Sequence, residues 1–317
     1  MAALLGEAGE QLNGTVSRNA RTTFVELLDT SLLCSEKGGS NVAVVVITGC
    51  SSGFGLLAAV SFARRGDRVF ATMRDLSRGR ELEALARREG QTVDLVELDV
   101  NSPGSVEDGV GKIVDSTGRI DVLVNNAGVG LRAAVESFTD DQVRAVFDTN
   151  VLGPLRMIRA VLPGMRSQRS GVVVNVSSVS GRITQPFNGL YSASKHALEA
   201  LSESLAFEVA PWGVRVALIE PGYFRTPIGD KMGLAGGVSP DSPYAAEEHL
   251  SIERGRAGVE AGGDPQEVAD LIVEAATTTE SKLRWPIGQG VDLLLSARAA
   301  MSEPEWAAFV NQRFLGH

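Results

Sequence analysis

A rhythm of short β-branched apolar runs alternating with longer helical stretches constrains this chain most. Val42-Ala43-Val44-Val45-Val46-Ile47 opens it. An uninterrupted apolar run of this length reads as a strand buried on both faces. Further runs follow at 68–72, 93–98, 122–124, 172–176, 214–219 and 283–287. Helical patterns lie between them, at 56–65 (closed by Gly66), 77–89 and 106–114, and two long ones flank the run at 172–176, the second starting near Tyr191. Strands alternating with helices at this spacing imply βαβ units, right-handed crossovers and a parallel sheet. The expected fold is α/β, a doubly wound parallel sheet of about seven strands with helices on both faces. Pro286 places the last strand at an edge, where a missing ladder donor is tolerated.

In such sheets ligands bind beyond the carboxyl ends of the strands. Several polar and glycine-rich segments collect there. Thr48-Gly49-Cys50-Ser51-Ser52-Gly53-Phe54-Gly55 joins the first strand to a helix. Glycines let backbone approach a pyrophosphate, and a helix N-terminus favours the anion. The G-x-x-x-G-x-G spacing differs from the common dinucleotide fingerprint, so a plain tight turn is the alternative. Arg74-Asp75 follows the second strand. An arginine there suits a ribose 2′-phosphate and an acid suits a free 2′-hydroxyl. Arg74 comes first and Asp75 can serve as a helix cap, so NADP(H) is expected over NAD. A solvated surface charge is the other reading of Arg74. Asp99, after the third strand, can accept from an adenine amino group or cap its own turn. Asn125-Asn126-Ala127-Gly128 can line a cofactor or make a turn.

Ser178 closes the fifth run, and Tyr191 and Lys195 lie four apart, on one helix face. Together these three could bind and protonate a carbonyl oxygen. Taken singly, each residue suits a cap, a turn or a surface pair.

At 317 residues, one large α/β domain is allowed. The net charge of −9 argues against nucleic acid as a partner. The two cysteines, Cys34 and Cys50, read as unpaired thiols of a reducing compartment. No run reaches the eighteen or more apolar residues of a membrane span. The N-terminus carries Glu7 and Glu10 where a secretory signal would be basic and then apolar. A cytoplasmic protein is expected. No metal-ligand spacing is present.

Residues 1–41 read as an N-terminal extension with a possible helix at 20–33, 42–300 as the domain, and 301–317 as a C-terminal tail. The stretch 223–262, rich in Gly and Pro, breaks the rhythm and reads as an irregular lid over substrate. Asp264 and Pro265 restart a helix as N-cap and first residue. His249 in the lid and His196 beside Lys195 are expected to face solvent.

The glycine pattern, Asn125-Asn126-Ala127-Gly128, Asn150, Ser178, Tyr191-x-x-x-Lys195 and Pro221-Gly222-x-x-x-Thr226 together resemble the short-chain dehydrogenase/reductase family over about 42–230. Thr48–Gly53, Ala71-Thr72-Met73-Arg74-Asp75 and the run from Ala197 to Leu205 are similar to its 17β-hydroxysteroid and retinol dehydrogenase branch. The resemblance implies a Rossmann-type domain and an NAD(P)(H)-dependent oxidoreductase. It would interconvert a secondary alcohol and a ketone or aldehyde on a fairly apolar small molecule. A non-catalytic dinucleotide sensor or scaffold is the alternative.

In that scheme Tyr191 is the acid/base, Ser178 binds the substrate oxygen, Lys195 also holds the nicotinamide ribose, and Asn150 anchors a relay water. Gly49, Ser51, Ser52, Gly53, Phe54, Gly55, Arg74, Asp99, Val100, Asn126, Ala127 and Gly128 would bind the cofactor. Thr226 would contact the carboxamide, with Pro221 and Gly222 passing close to the ring. Lys195 and the oxidised nicotinamide together are expected to lower the Tyr191 phenol from ~10 toward neutrality, at about 1.36 kcal/mol per unit. The family's habit implies a homodimer or homotetramer through the helices bearing Asn150 and Tyr191.

Overall fold

The computed structural model describes residues 42–226, 233–234 and 242–316. The extension at 1–41, with its expected helix and Cys34, lies outside them, as does most of 227–241. Seven parallel strands form one sheet in the order β3-β2-β1-β4-β5-β6-β7. They are β1 (Val44–Thr48), β2 (Arg68–Met73), β3 (Asp94–Glu97), β4 (Val122–Asn125), β5 (Gly171–Val176), β6 (Val214–Pro221) and β7 (Arg284–Ile287). Each lies within two residues of its expected place. The order reverses between β1 and β4, paired as Val46↔Leu123, which opens a crevice at their carboxyl ends. β7 is the edge, and its Pro286 pairs in register with Glu220.

Strand side chains alternate between two cores. Val45 and Ile47 of β1 join the apolar face of α1 (Gly53–Arg64) and of α8 (Pro265–Thr277). Val44 and Val46 point the other way, to α3 (Pro103–Thr117), α5 (Gly153–Gln168) and α6 (Gly189–Val209). Continuous apolar strands follow from having both faces covered. Between these elements lie α2 (Arg80–Arg88) and α4 (Asp140–Phe147). Asp264 does cap α8, accepting from Gln266 N at 2.9 Å.

One expectation changes. The stretch 223–262 is not wholly irregular, because Ala245–Glu260 is a sixteen-residue helix, α7. Its buried positions are Glu248, Ser251 and Gly255, so no apolar period marked it. The C-terminal segment forms α9 (Val291–Ala300) and α10 (Glu303–Val310). Trp306 of α10 is buried with Val291 against Val179 and Ile183, just after Ser178. The tail thus packs under the loop that carries a candidate catalytic serine. Among the described residues, no helix is long and apolar enough to cross a membrane.

Candidate active site

A cleft of about 590 Å³ opens at the β1/β4 switch point. The glycine turn forms its floor. Gly49 has φ +74° and packs so closely that a Cβ there would stand 2.8 Å from Ala127 Cα. Helix α1 begins earlier than its apolar pattern suggested, so Gly53 and Gly55 lie in its first turn. A Cβ on Gly55 would clash with the Asn126 amide and reach 2.8 Å from the Gly49 carbonyl. Asn126 Nδ2 donates to the Thr48 carbonyl at 2.9 Å, while Thr48 Oγ1 accepts from the amides of Asn126 and Ala127 at 3.0 Å. These bonds tie the β1 and β4 ends together and leave bare backbone and a helix N-terminus facing the cleft.

The other expected cofactor residues line the same cleft. Ser51, Ser52, Gly53 and Phe54 are on the glycine turn, and Asp99, Val100, Ala127 and Gly128 are on neighbouring strand ends. Arg74 lines its far end with Arg78, which the sequence reading passed over as a helix-surface charge. Neither guanidinium has an ion-pair partner among the described residues. Asp75 is engaged as a cap, its Oδ1 accepting from Ser77 N at 2.9 Å, and hydrogen bonds from the Ser77 side chain first and its backbone N–H second hold its carboxyl below the usual range. Asp99 likewise accepts from Asn101 N at 3.0 Å through one oxygen. Thr226 lines the cleft and its buried hydroxyl has no hydrogen-bond partner. Gly55, Pro221 and Gly222 do not line it. A Cβ at Gly222 would meet Val291 at 2.6 Å, so packing of α9 accounts for that glycine.

Ser178, Tyr191 and Lys195 come together beside this cleft. Ser178 ends β5 and is buried; its Oγ donates to the Pro221 carbonyl at 3.3 Å and accepts from Ser180 N at 3.1 Å. Lys195 is buried one turn along α6 from Tyr191, donating to the Val176 carbonyl at 2.8 Å. Its Nζ is 5.7 Å from the Tyr191 ring centroid. Burial pulls the Lys195 amine down to about 8, against the charge of Glu199. Burial also pushes the Tyr191 phenol up, opposed by a hydrogen bond to Ser178 and by the charge on Arg132. In the protein alone, without the nicotinamide that the expectation also invokes, desolvation of the phenol prevails.

Asn150 sits in a π turn, Asp148–Leu152, between α4 and α5. It is buried, donating to the Val129 carbonyl at 2.8 Å and Ser194 Oγ at 2.9 Å and accepting from Val129 N at 2.9 Å. It therefore braces the strip after Gly128 against the Tyr191 helix. Asn125 is tied inward instead, donating to Asn175, which donates to Ser202 of α6, both at 2.8 Å. His196 and His249 are exposed, as expected.

The sequence reading missed an ionic cluster under the catalytic helix. Glu220, fully buried at the end of β6, lies 3.1 Å from Arg182 and 3.4 Å from Arg284. Arg284 also pairs with Glu199, one turn beyond Lys195, at 3.1 Å. Desolvation first, and the Glu199 charge second, push the Glu220 carboxyl up to about 7. One oxygen of each carboxylate has no partner. Glu199 was visible only as part of the 197–205 run.

The chain is similar to several known proteins. The family model described as short chain dehydrogenase matches residues 43–234. The chain is 41% identical to estradiol 17-beta-dehydrogenase 1 of Rattus norvegicus over 252 residues, 76% of this chain and 72% of that protein. It is 39% identical to retinol dehydrogenase 8 of Homo sapiens over 76% of this chain and 79% of that one. An uncharacterized oxidoreductase of Bacillus subtilis matches at 38% over 86% and 99% of the two chains. A short chain dehydrogenase/reductase from Burkholderia phymatum, solved in complex with NAD, superposes with a TM-score of 0.72 at 26% identity, covering 81% and 93%. A metagenomic short-chain oxidoreductase in complex with NADP superposes at 0.62 and 25% identity, covering 78% and 97%. The fold agrees with these matches, and the chain belongs to the short-chain dehydrogenase family of oxidoreductases.

Proposed function

We propose that this oxidoreductase interconverts a secondary alcohol and a ketone or aldehyde on a small, apolar-bodied molecule, using NADP(H). The convergence of Ser178, Tyr191 and Lys195 beside the switch-point cleft carries this reading. The cleft fits a nicotinamide dinucleotide. Its floor excludes a Cβ at Gly49, and the orphaned Thr226 hydroxyl faces it. Arg74 and Arg78 favour a 2′-phosphate, since Asp75 is already occupied by Ser77 N. The NADP and NAD complexes of the two solved relatives support a nicotinamide cofactor of either kind.

Bound there, the nicotinamide supplies or accepts the hydride. Ser178 and Tyr191 hydrogen-bond the substrate oxygen, and Tyr191 gives its proton as that oxygen gains charge. Lys195, held by Val176, presents an ammonium to the ribose and the phenolate. Asn150 fixes the 128–129 strip and keeps a lone pair for a relay water. Exposed Leu152, Leu201 and Phe207 support a homo-oligomer through the helices around Asn150 and Tyr191.

Oxidation of NADPH, followed by its absorbance against a panel of ketones, tests the reading. Turnover on at least one ketone with NADPH preferred over NADH is expected. No turnover with either cofactor, despite cofactor binding, would sink it. Tighter binding of NAD than of NADP would sink the cofactor assignment.

A further inference from the structure

Arg132 is a half-buried cation that the scheme above leaves unused. It lies on the two-residue strand Leu131–Arg132, immediately beyond the cleft-lining residues Val129 and Gly130. That strand pairs with Gly233–Leu234 and packs on α6, the helix of Tyr191. On its other side is α7. Arg132 Nη1 donates to the Ser251 carbonyl at 3.4 Å, and a Cβ on Gly255 would stand 2.6 Å from the same nitrogen. Helix α7 thus offers bare backbone where the guanidinium lies.

The chain around it is fixed. Ala133 N donates to the Phe187 carbonyl at 3.1 Å, and Ala134 N to Glu248 Oε1 at 2.7 Å. Ser251 Oγ reaches the Pro186 carbonyl at 3.3 Å. The Arg132 charge is close enough to the Tyr191 hydroxyl to oppose, after Ser178, the upward push of burial.

Among the described residues no carboxylate lies within ion-pair distance of Arg132. One long bond to Ser251 uses one of five guanidinium donors. A partly desolvated cation with so few partners is costly unless something completes its shell. Its strand packs on the Tyr191 helix and continues the cleft-lining strip, which makes substrate the natural partner. Planar guanidinium matches carboxylate geometry. Glu248, bonded two residues away, disfavours a dianion and suits a single negative charge. The Phe187–Tyr244 ring pair, with centroids 6.4 Å apart, supplies apolar wall nearby.

We propose that Arg132 is a specificity-determining residue that reads a carboxylate on the substrate, making the substrate an apolar-bodied oxo or hydroxy acid. This rests on the carbonyl-reducing reading above. Charge-assisted recognition by one guanidinium favours the acid over a neutral isostere by about 10- to 100-fold.

Calorimetry on the NADP⁺-loaded protein, titrated with octanoate and with octanamide, measures this without turnover. Octanoate is expected to bind at least about tenfold tighter. Arg132→Leu should bring the ratio near one, and Arg132→Lys should restore part of it. Equal binding of the two probes to wild type, or a preference that survives Arg132→Leu, overturns the assignment. Steady-state kinetics on oxoalkanoates and their methyl esters separates the two readings. If the octanoate preference holds but no carbonyl is turned over with either cofactor, the redox reading fails and Arg132 remains an anion reader. If both acids and esters are reduced with a ratio near one in wild type and Arg132→Leu, the redox reading stands and the role of Arg132 fails.

Discussion

The two halves of the site are built from different materials. The cofactor half, around the β1 and β4 ends, is mostly backbone: Gly49, Gly53 and Gly55, stitched by Thr48 and Asn126. The half proposed for substrate, around Arg132, Phe187 and α7, is made of side chains brought from separate parts of the sequence. Ser178, Tyr191 and Lys195 stand between them. A backbone cradle binds what every dinucleotide has in common and tolerates little change. A side-chain wall can be rewritten for a new substrate without disturbing the cradle. Mutations in the two halves should therefore fail in different ways.

Between the halves, Tyr191→Phe is expected to have the largest effect. It removes the proton donor and should lower kcat by about 10²- to 10⁴-fold while cofactor affinity stays within a few-fold. Titration of cofactor fluorescence beside steady-state kinetics checks the split. Under the substrate half, Trp306→Ala should cost about 3–5 kcal/mol, as for large core aromatics, and lower kcat through the loosened Ser178 loop. Denaturant melts and kcat measure the two parts. If kcat per folded molecule is unchanged, α10 only stabilises and does not position.

In the cofactor half, Gly55→Ala forces a methyl against Asn126 and the Gly49 carbonyl. Overpacking of this kind costs about 1–3 kcal/mol, and cofactor affinity should fall with it. Replacing Arg74 and Arg78 together by Ala should weaken NADP about tenfold or more while leaving NAD nearly unchanged. Parallel loss for both cofactors would mean that the arginines only hold the loop.

A pH-dependent effect concerns the cluster below both halves. Glu220 has a raised carboxyl in the folded state, so the native protein binds more protons than the unfolded chain between pH 4.5 and about 7. Its contribution to stability is full below 4.5 and is lost as pH rises through about 7. Glu220→Gln should flatten that fall, by on the order of 2 kcal/mol between pH 4.5 and 8. Urea midpoints across that range give the sign directly.

The same contrast explains what was legible in the sequence. Strands buried on both faces announce themselves by continuous β-branched runs, so Val42–Ile47 and its successors gave the sheet and its order of elements. Glycines placed by steric need, as at Gly49, are readable for the same reason. Helix α7 was not, because its buried face is Glu248, Ser251 and Gly255 in place of an apolar stripe. Arg78 and Arg132 look like ordinary surface charges in the sequence, and only the fold brings Arg78 to the cleft and Arg132 against α7. Tyr191 and Lys195 are legible by their spacing, whereas the burial that pushes the phenol up is a property of the whole fold. The role of Trp306 beneath Ser178 carries no local signal, since Val179 and Ile183 lie more than a hundred residues from it.

Transfer of deuterium from NADPH labelled at the nicotinamide C4 tests the central claim most directly. The product of a reduced ketone, analysed by mass spectrometry, is expected to carry one deuterium on its carbinol carbon in wild type. With Tyr191→Phe the labelled product should form at least about a hundred times more slowly. Product formed without label, or labelled product formed by Tyr191→Phe at the wild-type rate, would contradict hydride transfer at a Ser178–Tyr191–Lys195 site.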